Sequence, residues 1–415
     1  MRNGVTDEVE DQVASALASR LRDVPATTIF TEMSALAVRT GAVNLGQGFP
    51  DADGPPEVLE AAVTALRQGA NQYAPGRGVP ALQRAVADHQ HRHHGVELDP
   101  VTQVVVTTGA TEAVAAAVLG LVEPGDEVVL LEPYYDSYRA AVDLAGGVRV
   151  PVTLAAPDFR LDVAALEAAV TDRTRLILLN TPHNPTGTVL TRAELEDIAR
   201  VAVAHDVVVV TDEVYEHLVF DGREHVAPAS LPGMAERTVS ISSAGKTFNV
   251  TGWKVGWATG PAHLVDAVFA AKQWLTFSSA APLQPAVALA LTDHDGFHED
   301  LARSLASRRD LLVAGLGELG LHVRSAEGSY FVLTDVSAWG WQDGRSFCEA
   351  LPERAGVVAI PAQAFYEHGA DSPGRHLVRW AFCKDEATVA EGVRRLTEAY
   401  AAGRLECSPG GPAPG

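Results

Sequence analysis

Residues 175–213 read RLILLNTPHNPTGTVLTRAELEDIARVAVAHDVVVVTDE, and this stretch contains a complete strand–helix–strand unit. The runs at 175–182 and 206–213 are rich in Leu, Ile and Val without alternation, which is typical of strands buried on both faces of a sheet. Between them, Thr191 and Glu194 form the T-x-x-E pattern of a capping box, which begins a helix over 191–205. The stretch therefore predicts neighbouring parallel strands covered by a helix.

The same alternation of strands and helices extends over about residues 100–260. Strand-like runs lie at 104–109, 127–133, 147–152, 238–243 and 256–261, and helical patterns lie at 111–121, 134–145 and 261–272. This order predicts an α/β fold whose large domain holds a mostly parallel seven-stranded sheet between helices. Later in the chain a long helical pattern, three strand candidates and a final helix predict a smaller α+β domain.

We predict five segments in the chain. They are an N-terminal extension at 1–21, an arm at 22–50 that packs on the small domain, a large cofactor-binding domain at 51–292, a small C-terminal domain at 293–400 and a disordered tail at 401–415. The tail is predicted to be disordered because CSPGGPAPG is rich in proline and glycine.

Composition and charge exclude several classes of function. The chain has 415 residues and a net charge of −21, with no clustered Lys and Arg for nucleic acid or an anionic membrane surface. No long apolar run predicts a membrane span, and the acidic N-terminus lacks the apolar region of a secretory signal. Cys348, Cys383 and Cys407 are widely spaced and form no disulfide framework, so a cytoplasmic location is predicted.

Small and aromatic residues follow the first two strands of the large domain, at the edge of an open sheet where ligands bind. Gly109, Ala110 and Thr111 begin a helix directly after the strand at 104–108. Backbone N–H groups and the helix dipole can hold a phosphate there, although an ordinary strand-to-helix turn has the same pattern. Tyr134 and Tyr135 follow the next strand, and a tyrosine at this place can either stack on a planar ring or fill the core.

Polar side chains follow the next two strands. Asn184 lies in TPHNPTG, where two prolines and a glycine fix the backbone and aim one amide, although the motif alone is also a common turn. Asp212 comes directly after a run of four valines and needs a cationic partner, such as a protonated ring nitrogen, unless it caps a helix. Tyr215, three residues on, can reach another polar atom of the same ring.

Residues 242–257, SSAGKTFNVTGWKVGW, place Lys246 and Lys254 among small and apolar neighbours. An amine in such surroundings can have a depressed pKa and act as a neutral nucleophile toward an aldehyde. Ser243 and Lys254 then flank the site as phosphate donors. A phosphate cradle, a stacking aromatic, a carboxylate for a ring nitrogen, a hydrogen bonder for a ring hydroxyl and a reactive amine together match one cofactor, pyridoxal 5′-phosphate.

These motifs resemble those of the class I/II aminotransferases of the fold-type I pyridoxal-phosphate superfamily, over about residues 25–400. The matching stretches are VNLGQGFPD, NQYAPGRG, TTGATEAV, EPYYDSY, NTPHNPTG, TDEVYEHLVFDG, SSAGKTFNVTGWKVGW and HLVRWAFCKDE. In particular they resemble the branch that holds kynurenine, glutamine, methionine and N-succinyldiaminopimelate aminotransferases. The resemblance implies a PLP-dependent transferase-like fold.

The resemblance also implies a role for each residue around the cofactor ring. Lys246 corresponds to the catalytic lysine that bonds the cofactor aldehyde, and Asp212 to the partner of the pyridine nitrogen. Asn184 and Tyr215 correspond to the residues that bond the ring 3-oxygen, and Asn184 also faces the substrate. Tyr135 corresponds to the stacking aromatic.

Further residues correspond to phosphate contacts. The matching residues are Ala110 and Thr111, which follow the turn at Gly109, and Ser243 and Lys254. Lys254 is an arginine in much of the family, so its contact with the phosphate is that of a single charged amine rather than of a forked guanidinium. Tyr73 matches a residue that reaches the phosphate from the other subunit of a homodimer.

On the substrate side, Gly48 corresponds to a backbone contact and Arg379 to the arginine that takes the α-carboxylate. Arg379 is the single cation of the run LVRWAF, and a guanidinium pairs with a carboxylate through two parallel hydrogen bonds. An edge-strand arginine facing water is the alternative. Arg77 is a candidate for a distal carboxylate.

The implied activity is transamination between an amino acid and a 2-oxo acid or aldehyde, with residues 22–50 closing over the site. N-succinyl-2-amino-6-oxopimelate with glutamate as donor, in lysine and diaminopimelate biosynthesis, is the first choice. Kynurenine, methionine, glutamine or aromatic amino acids are the alternatives, followed by a lyase reaction on the same cofactor and a non-catalytic effector-sensing module. Small amino and oxo acids are the predicted partners.

A run of histidines, DHQHRHHG at 88–95, is the remaining candidate site. His89 and His93 have the i, i+4 spacing of metal ligands on a helix. Because the run lies in a polar stretch before Gly95, we predict a solvated helix end and no metal.

Overall fold

The structure is a computed structural model, and it describes residues 18–21 and 27–407. The described α-helices are α1 (Ile29–Thr40), α2 (Pro56–Arg67), α3 (Pro80–His94), α4 (Gly109–Leu121), α5 (Asp136–Ala145), α6 (Val163–Ala169), α7 (Arg192–Ala204), α8 (Ala244–Thr247), α9 (Ala262–Leu275), α10 (Gln284–Asp293), α11 (Asp295–Glu318), α12 (Gly344–Ala355) and α13 (Glu386–Ala401). The strands are β1 (Val43–Asn44), β2 (Val104–Thr107), β3 (Glu127–Glu132), β4 (Val148–Thr153), β5 (Thr174–Asn180), β6 (Val208–Asp212), β7 (Thr238–Ser243), β8 (Gly256–Thr259), β9 (Phe331–Asp335), β10 (Val357–Val358), β11 (Ile360–Pro361) and β12 (Leu377–Ala381).

Seven strands form the central sheet, in the order β2-β8-β7-β6-β5-β3-β4. β8 runs antiparallel to both of its neighbours, and the other adjacent pairs are parallel. Each of the seven strand-like runs of the sequence supplies one of these strands. The predicted α/β fold with a mostly parallel seven-stranded sheet is therefore confirmed.

The two faces of this sheet are buried in different hydrophobic clusters. In β5, Leu176 and Leu178 belong to one cluster, and Ile177 and Leu179 belong to another. The helices α4 and α9 contribute to the first cluster, and α7 to the second. Because both faces are apolar, the strand sequences show continuous runs of Val, Leu and Ile instead of alternation.

The capping box predicted from the sequence begins α7, which connects the parallel strands β5 and β6. The Glu194 backbone N–H donates to Thr191 Oγ1 at 3.2 Å, and the Thr191 N–H donates to Glu194 Oε2 at 2.7 Å. Two N–H groups that have no partner within the helix are thereby satisfied. The strand–helix–strand unit over residues 175–213 is confirmed.

A second group of strands follows α11. β9, β12 and β11 form a three-stranded antiparallel sheet, and β10 pairs in parallel with β1 of the N-terminal arm. One of the three strand candidates predicted for this part of the chain is the run VVAIPAQAF at 357–365, and it supplies β10 to one sheet and β11 to another. Pro361 ends β11 because it has a fixed φ and no N–H group to continue the ladder.

The predicted domain boundaries stay a prediction, and the two ends of the chain are described in part. Residues 1–17 and 22–26 lie outside the described residues. The disordered tail also stays a prediction, because residues 408–415 lie outside the described residues. Within 401–407, Leu405 is buried and its carbonyl accepts from Trp341 Nε1 at 2.8 Å. Among the described helices, none combines the length and hydropathy that crossing a membrane requires.

Candidate active site

A cavity of about 440 Å³ lies at the carboxyl edge of the parallel strands. Asp212 and Ser243 end β6 and β7, and the chain beyond β2, β3 and β5 also reaches the cavity. β8 runs the other way, so Lys254 approaches the same edge from its start. All of the predicted site residues except Tyr73 and Arg77 line the cavity: Gly48, Gly109, Ala110, Thr111, Tyr135, Asn184, Asp212, Tyr215, Ser243, Lys246, Lys254 and Arg379.

Two residues named from the sequence lie away from the cavity. Tyr73 is 83% exposed, and its ring meets the Phe277 ring edge-on at 5.3 Å between centroids. Its contribution across a subunit interface stays a prediction. Arg77 pairs with Asp266, and its guanidinium lies 4.7 Å from the centroid of the Phe269 ring. Arg77 therefore does not reach the cavity.

Lys246 projects into the cavity from α8, a single helical turn directly after β7. Its Nζ donates to the Gly48 carbonyl at 3.0 Å and to the Tyr330 hydroxyl at 2.6 Å. Loss of hydration lowers the pKa of this amine to about 8, against the opposing effect of Asp212 and with further lowering by Arg379. A substantial fraction of the Lys246 amine is therefore neutral and nucleophilic near that pH.

Asp212 lies at the end of β6 and is 6% exposed. Burial raises the pKa of its carboxyl to about 6, although Tyr138 donates to Oδ2 at 2.8 Å and the Val214 N–H donates to Oδ1 at 3.2 Å. Two donors do not fully replace the lost hydration of a carboxylate, so a cationic partner in the cavity stabilises its charged form. A protonated pyridine nitrogen fits this requirement.

The N-terminus of α4 forms the anion-binding end of the cavity. Gly109 has φ +73°, and a Cβ built there lies 3.1 Å from Lys254 Nζ. A Cβ built at Gly256 lies 2.6 Å from the Gly109 carbonyl carbon and 2.8 Å from the Ala110 nitrogen. Small residues thus bring the backbone, the helix dipole and the Lys254 amine together, which is the arrangement that holds a phosphate.

Arg379 lies in the middle of β12 and is 1% exposed, so the alternative of a water-facing arginine is wrong. Nη1 donates to Asn184 Oδ1 at 2.8 Å and Nη2 donates to the Gly46 carbonyl at 2.8 Å, while Nε has no partner among the described residues. Burial lowers the pKa of this guanidinium to about 10, so it stays charged near neutral pH. A buried charge with an unused donor fits a substrate carboxylate.

The polar aromatic groups of the cavity stay neutral. Burial raises the pKa of Tyr135 to about 12, and burial raises the pKa of Tyr215 beyond the range of ordinary titration. Both hydroxyls therefore act as hydrogen-bonding groups rather than as charges. Asn184 is held in place because its backbone N–H donates to Asn180 Oδ1 at 2.7 Å.

Sequence reasoning missed two hydroxyls that contact the central charged groups. Tyr138 lies one helical turn after Tyr135 in EPYYDSY, and an i, i+3 spacing on α5 is the signal that places both on one face. Tyr330 lies 84 residues from Lys246, and its local sequence, GSYF, indicates only a strand start.

Comparison with known proteins identifies what this chain is similar to. The model of the family "Aminotransferase class I and II" matches residues 40–396. A probable N-succinyldiaminopimelate aminotransferase, DapC, of Mycobacterium tuberculosis is 56% identical over 388 residues, covering 91% of this chain and 97% of the relative. The methionine aminotransferase of Escherichia coli K12 is 42% identical over 372 residues, covering 90% of this chain and 96% of the relative.

Solved structures give the same result. That of N-succinyldiaminopimelate aminotransferase from Mycobacterium tuberculosis superposes with a TM-score of 0.90 at 56% identity, covering 92% of this chain and 100% of that one. The structure of YbdL from Escherichia coli, with a methionine aminotransferase function, superposes with a TM-score of 0.88 at 41% identity, covering 92% of this chain and 99% of that one.

Proposed function

The chain belongs to the class I and class II aminotransferases, and on that premise we propose that it transfers the amino group of glutamate to N-succinyl-2-amino-6-oxopimelate. The observation that carries the transamination chemistry is that Lys246, Asp212 and Arg379 line a single cavity. The similarity to N-succinyldiaminopimelate aminotransferases supports the choice of substrate.

Pyridoxal 5′-phosphate is the cofactor of this family, and when bound it accepts the electrons of the Cα–H bond that breaks. We assign its phosphate to the N-terminus of α4 with Ser243 and Lys254, its ring nitrogen to Asp212, and its ring oxygen to Asn184 and Tyr215. Each assigned group has the charge or hydrogen-bonding capacity that its partner requires.

In this proposal the Lys246 amine is the group that moves the proton. In its neutral form Nζ accepts the proton from the substrate Cα and returns it later in the reaction. Tyr330 and the Gly48 carbonyl fix the position of Nζ through their hydrogen bonds. Arg379 binds the α-carboxylate and thereby orients the Cα–H bond toward the amine.

We assign the distal end of the substrate to a second cavity of about 490 Å³. Thr28, Tyr135, Asp136 and Ser137 line both cavities, so the two adjoin. The walls of the second include Arg139 and Arg345, and Arg345 pairs with Glu32 at 3.0 Å. A succinyl carboxylate that displaces Glu32 gains a guanidinium partner. These two arginines replace Arg77 as candidates.

A substrate panel tests the proposed reaction on the cofactor-loaded enzyme. We expect kcat/KM to be at least ~10-fold higher with N-succinyl-2-amino-6-oxopimelate and glutamate than with kynurenine, methionine, glutamine or aromatic donors. Arg345→Gln should lower kcat/KM for the succinylated substrate about 10- to 100-fold and leave methionine turnover unchanged. Faster turnover of methionine or kynurenine by the unaltered enzyme contradicts the proposal.

We further propose that the enzyme is a cytoplasmic homodimer. Tyr73 and Trp274 are each 83% exposed, and Leu275 and Phe277 beside them are 48% and 55% exposed, which supports an apolar contact surface at this place. The three cysteines are free, which suits a reducing compartment. Sedimentation velocity should give a dimer that Trp274→Lys dissociates and that Val203→Lys, on the exposed face of α7, does not. A wild-type monomer contradicts it.

A further inference from the structure

Four histidines from three separate segments lie close together. His89 and His93 come from α3, His217 from the loop after β6, and His298 from α11; with Asp295 we call them the imidazole cluster. His89 Nε2 lies 2.7 Å from His217 Nε2, and the rings of His217 and His298 stack with centroids 3.9 Å apart.

The prediction that residues 88–95 form a solvated helix end is wrong at this cluster. His89 is 1% exposed, and the side chain of His94 is 4% exposed with its Nε2 2.7 Å from Glu216 Oε2. The sequence gives no signal for this burial, because His217 and His298 lie far along the chain from α3.

The cluster contains ring nitrogens that no other group in the described part of the chain uses. His89 is buried, and its Nδ1 has no hydrogen-bond partner among the described residues. Carboxylates lie next to these rings, since Asp295 Oδ1 is 3.4 Å from His93 Nε2 and Glu216 directly precedes His217 in the chain.

We propose that His89, His93 and His217 bind one divalent transition-metal ion of the kind that prefers imidazole, with Zn²⁺ as the representative ion. One ligand nitrogen from each of the three lies within 4.8 Å of the other two. Zinc–imidazole bonds of about 2.0–2.1 Å in tetrahedral geometry place ligand nitrogens about 3.3 Å apart, so small side-chain rotations suffice. Asp295 Oδ1 lies 3.4 Å from His93 Nε2, and a neighbouring carboxylate of this kind orients a metal-bound ring.

The nature of the donors selects the class of ion. Mg²⁺ and Ca²⁺ take oxygen ligands, whereas imidazole suits Zn²⁺, Ni²⁺ and Cu²⁺. The nearby carboxylates offset the added positive charge.

A bound ion at this place has a structural effect on the active site. It joins α3 to the loop after β6, because His217 lies in that loop, two residues after Tyr215 and five after Asp212 at the end of β6. In the same loop Glu216 accepts from Ser242 Oγ at 2.5 Å, directly beside Ser243. The ion therefore stabilises the wall on which the ring-nitrogen and phosphate partners are mounted.

Metal titration of the cofactor-loaded enzyme tests the site. After chelation and desalting, calorimetry with Zn²⁺ should give one ion per chain, and Co²⁺ should give visible d–d bands. Zn²⁺ should also raise the melting temperature. His93→Gln, a ligand whose side chain is 21% exposed, should weaken Zn²⁺ binding at least ~10-fold, as should His217→Gln.

His91→Gln is the matched control, because His91 is on the same helix, is paired with Glu97 and has a side chain that is 61% exposed. It should bind Zn²⁺ as the wild type does. If His217→Gln does not fold, His93→Gln decides, provided that it keeps the cofactor spectrum. Absence of saturable Zn²⁺ binding, unaltered binding by His93→Gln, or equal loss in His91→Gln overturns the site.

Discussion

At the residue scale, basic side chains line the cavity before any substrate binds. Lys246, Lys254 and Arg379 all line it, and Asp212 is the buried carboxylate that opposes them. Repulsion from Lys254 and Arg379 adds to desolvation in lowering the pKa of Lys246. The same positive potential favours the anions that a phosphorylated cofactor and a carboxylate substrate bring.

The depressed pKa of Lys246 predicts how cofactor capture depends on pH. Only the neutral amine reacts with an aldehyde, and its fraction rises as pH passes through about 8. For cofactor-free protein, the rate constant for capturing pyridoxal 5′-phosphate should rise about fivefold from about pH 7 to 8 and level off by about pH 9. Stopped-flow absorbance gives this rate.

An ordinary surface lysine provides the contrast for that experiment. Its pKa of about 10.4 makes the rate rise about tenfold per pH unit through about pH 9 without a plateau. A profile of that shape contradicts the proposed state of Lys246. The free energy of unfolding should also rise with pH. Because the folded-state pKa of Lys246 is lowered, burying its protonated amine destabilises the fold, and this penalty decreases as pH rises from about 8 toward 10.4.

The contacts of Arg379 predict that even its replacement by lysine, which keeps the positive charge, lowers activity. Its guanidinium bonds Asn184 and Gly46, and its Nε has no partner in the described part of the chain, whereas a lysine is a point charge with a single nitrogen. Arg379→Lys should lower kcat/KM by about 100-fold, corresponding to about 2.7 kcal/mol, because orientation and hydrogen bonds are both lost. Steady-state kinetics with glutamate measures this.

Arg375→Lys is the control for that change. Arg375 lies four residues earlier, and its Nε donates to the Gln342 carbonyl at 3.1 Å, outside both cavities. It should keep wild-type kinetics. Equal kcat/KM for the two variants rules out the assigned role of Arg379.

At the element scale, the approach of β8 to the N-terminus of α4 sets the geometry of the anion site. Gly256 of β8 faces Gly109 and Ala110, and an added Cβ meets their backbone atoms at 2.6 and 2.8 Å. Backbone cannot rotate away as a side chain can, so the helix terminus itself has to move. Gly256→Ala should therefore raise the dissociation constant for pyridoxal 5′-phosphate at least ~10-fold and lower the free energy of unfolding by about 1–3 kcal/mol.

Gly252→Ala is the matched control for the Gly256 variant. A Cβ at Gly252 meets no atom of residues 18–21 or 27–407 within 4 Å, and Gly252 lies four residues before Gly256. Fluorescence titration with the cofactor and urea unfolding should leave it close to the wild type. If Gly256→Ala binds the cofactor as tightly as Gly252→Ala does, the close approach does not set the anion site.

The elements also explain what the sequence predicts well. Strands such as 175–182 and 206–213 are recognisable because both faces of the sheet are buried, so apolar residues follow one another without alternation. The polar residues that follow these strands meet because parallel strands end at the same edge of the sheet. Asn184, Asp212 and Ser243 therefore converge as expected. The run at 357–365 is different, because its residues are divided between two sheets and pairing partners leave no local pattern.

Contacts between distant segments were not predictable in the same way. Tyr330 reaches Lys246 and His217 reaches His89 only after the chain has folded around the sheet. A tyrosine before a strand and a histidine after a tyrosine have no periodicity that points to such partners. Burial reversed the expectation for His89 because the neighbouring helices cover a face whose sequence is polar.

At the scale of the whole molecule, the segment after α1 connects the cavity to the C-terminal sheets. Leu45 bonds β10 and β12, since its N–H donates to Val358 at 2.9 Å and its carbonyl accepts from Ala381 at 2.6 Å. The Gly48 carbonyl accepts from Lys246 and from Tyr330, and the Phe49 carbonyl accepts from Lys384 at 2.9 Å. Hydrogen bonds therefore connect the Lys246 amine to the segment after α1, and this segment to the C-terminal sheets.

These connections predict that ligand binding tightens residues 27–50. Thr28, Phe30, Gln47, Gly48 and Phe49 all line the cavity, so a bound carboxylate at Arg379 adds contacts to α1 and to the segment after it. With saturating glutarate, a dicarboxylate that cannot transfer an amino group, amide hydrogen exchange in peptides from 27–50 should slow at least ~10-fold. Peptides from α7, which lines neither cavity, should exchange at unchanged rates. Equal exchange in 27–50 with and without glutarate, in protein shown by calorimetry to bind it, means that this segment does not close over the site.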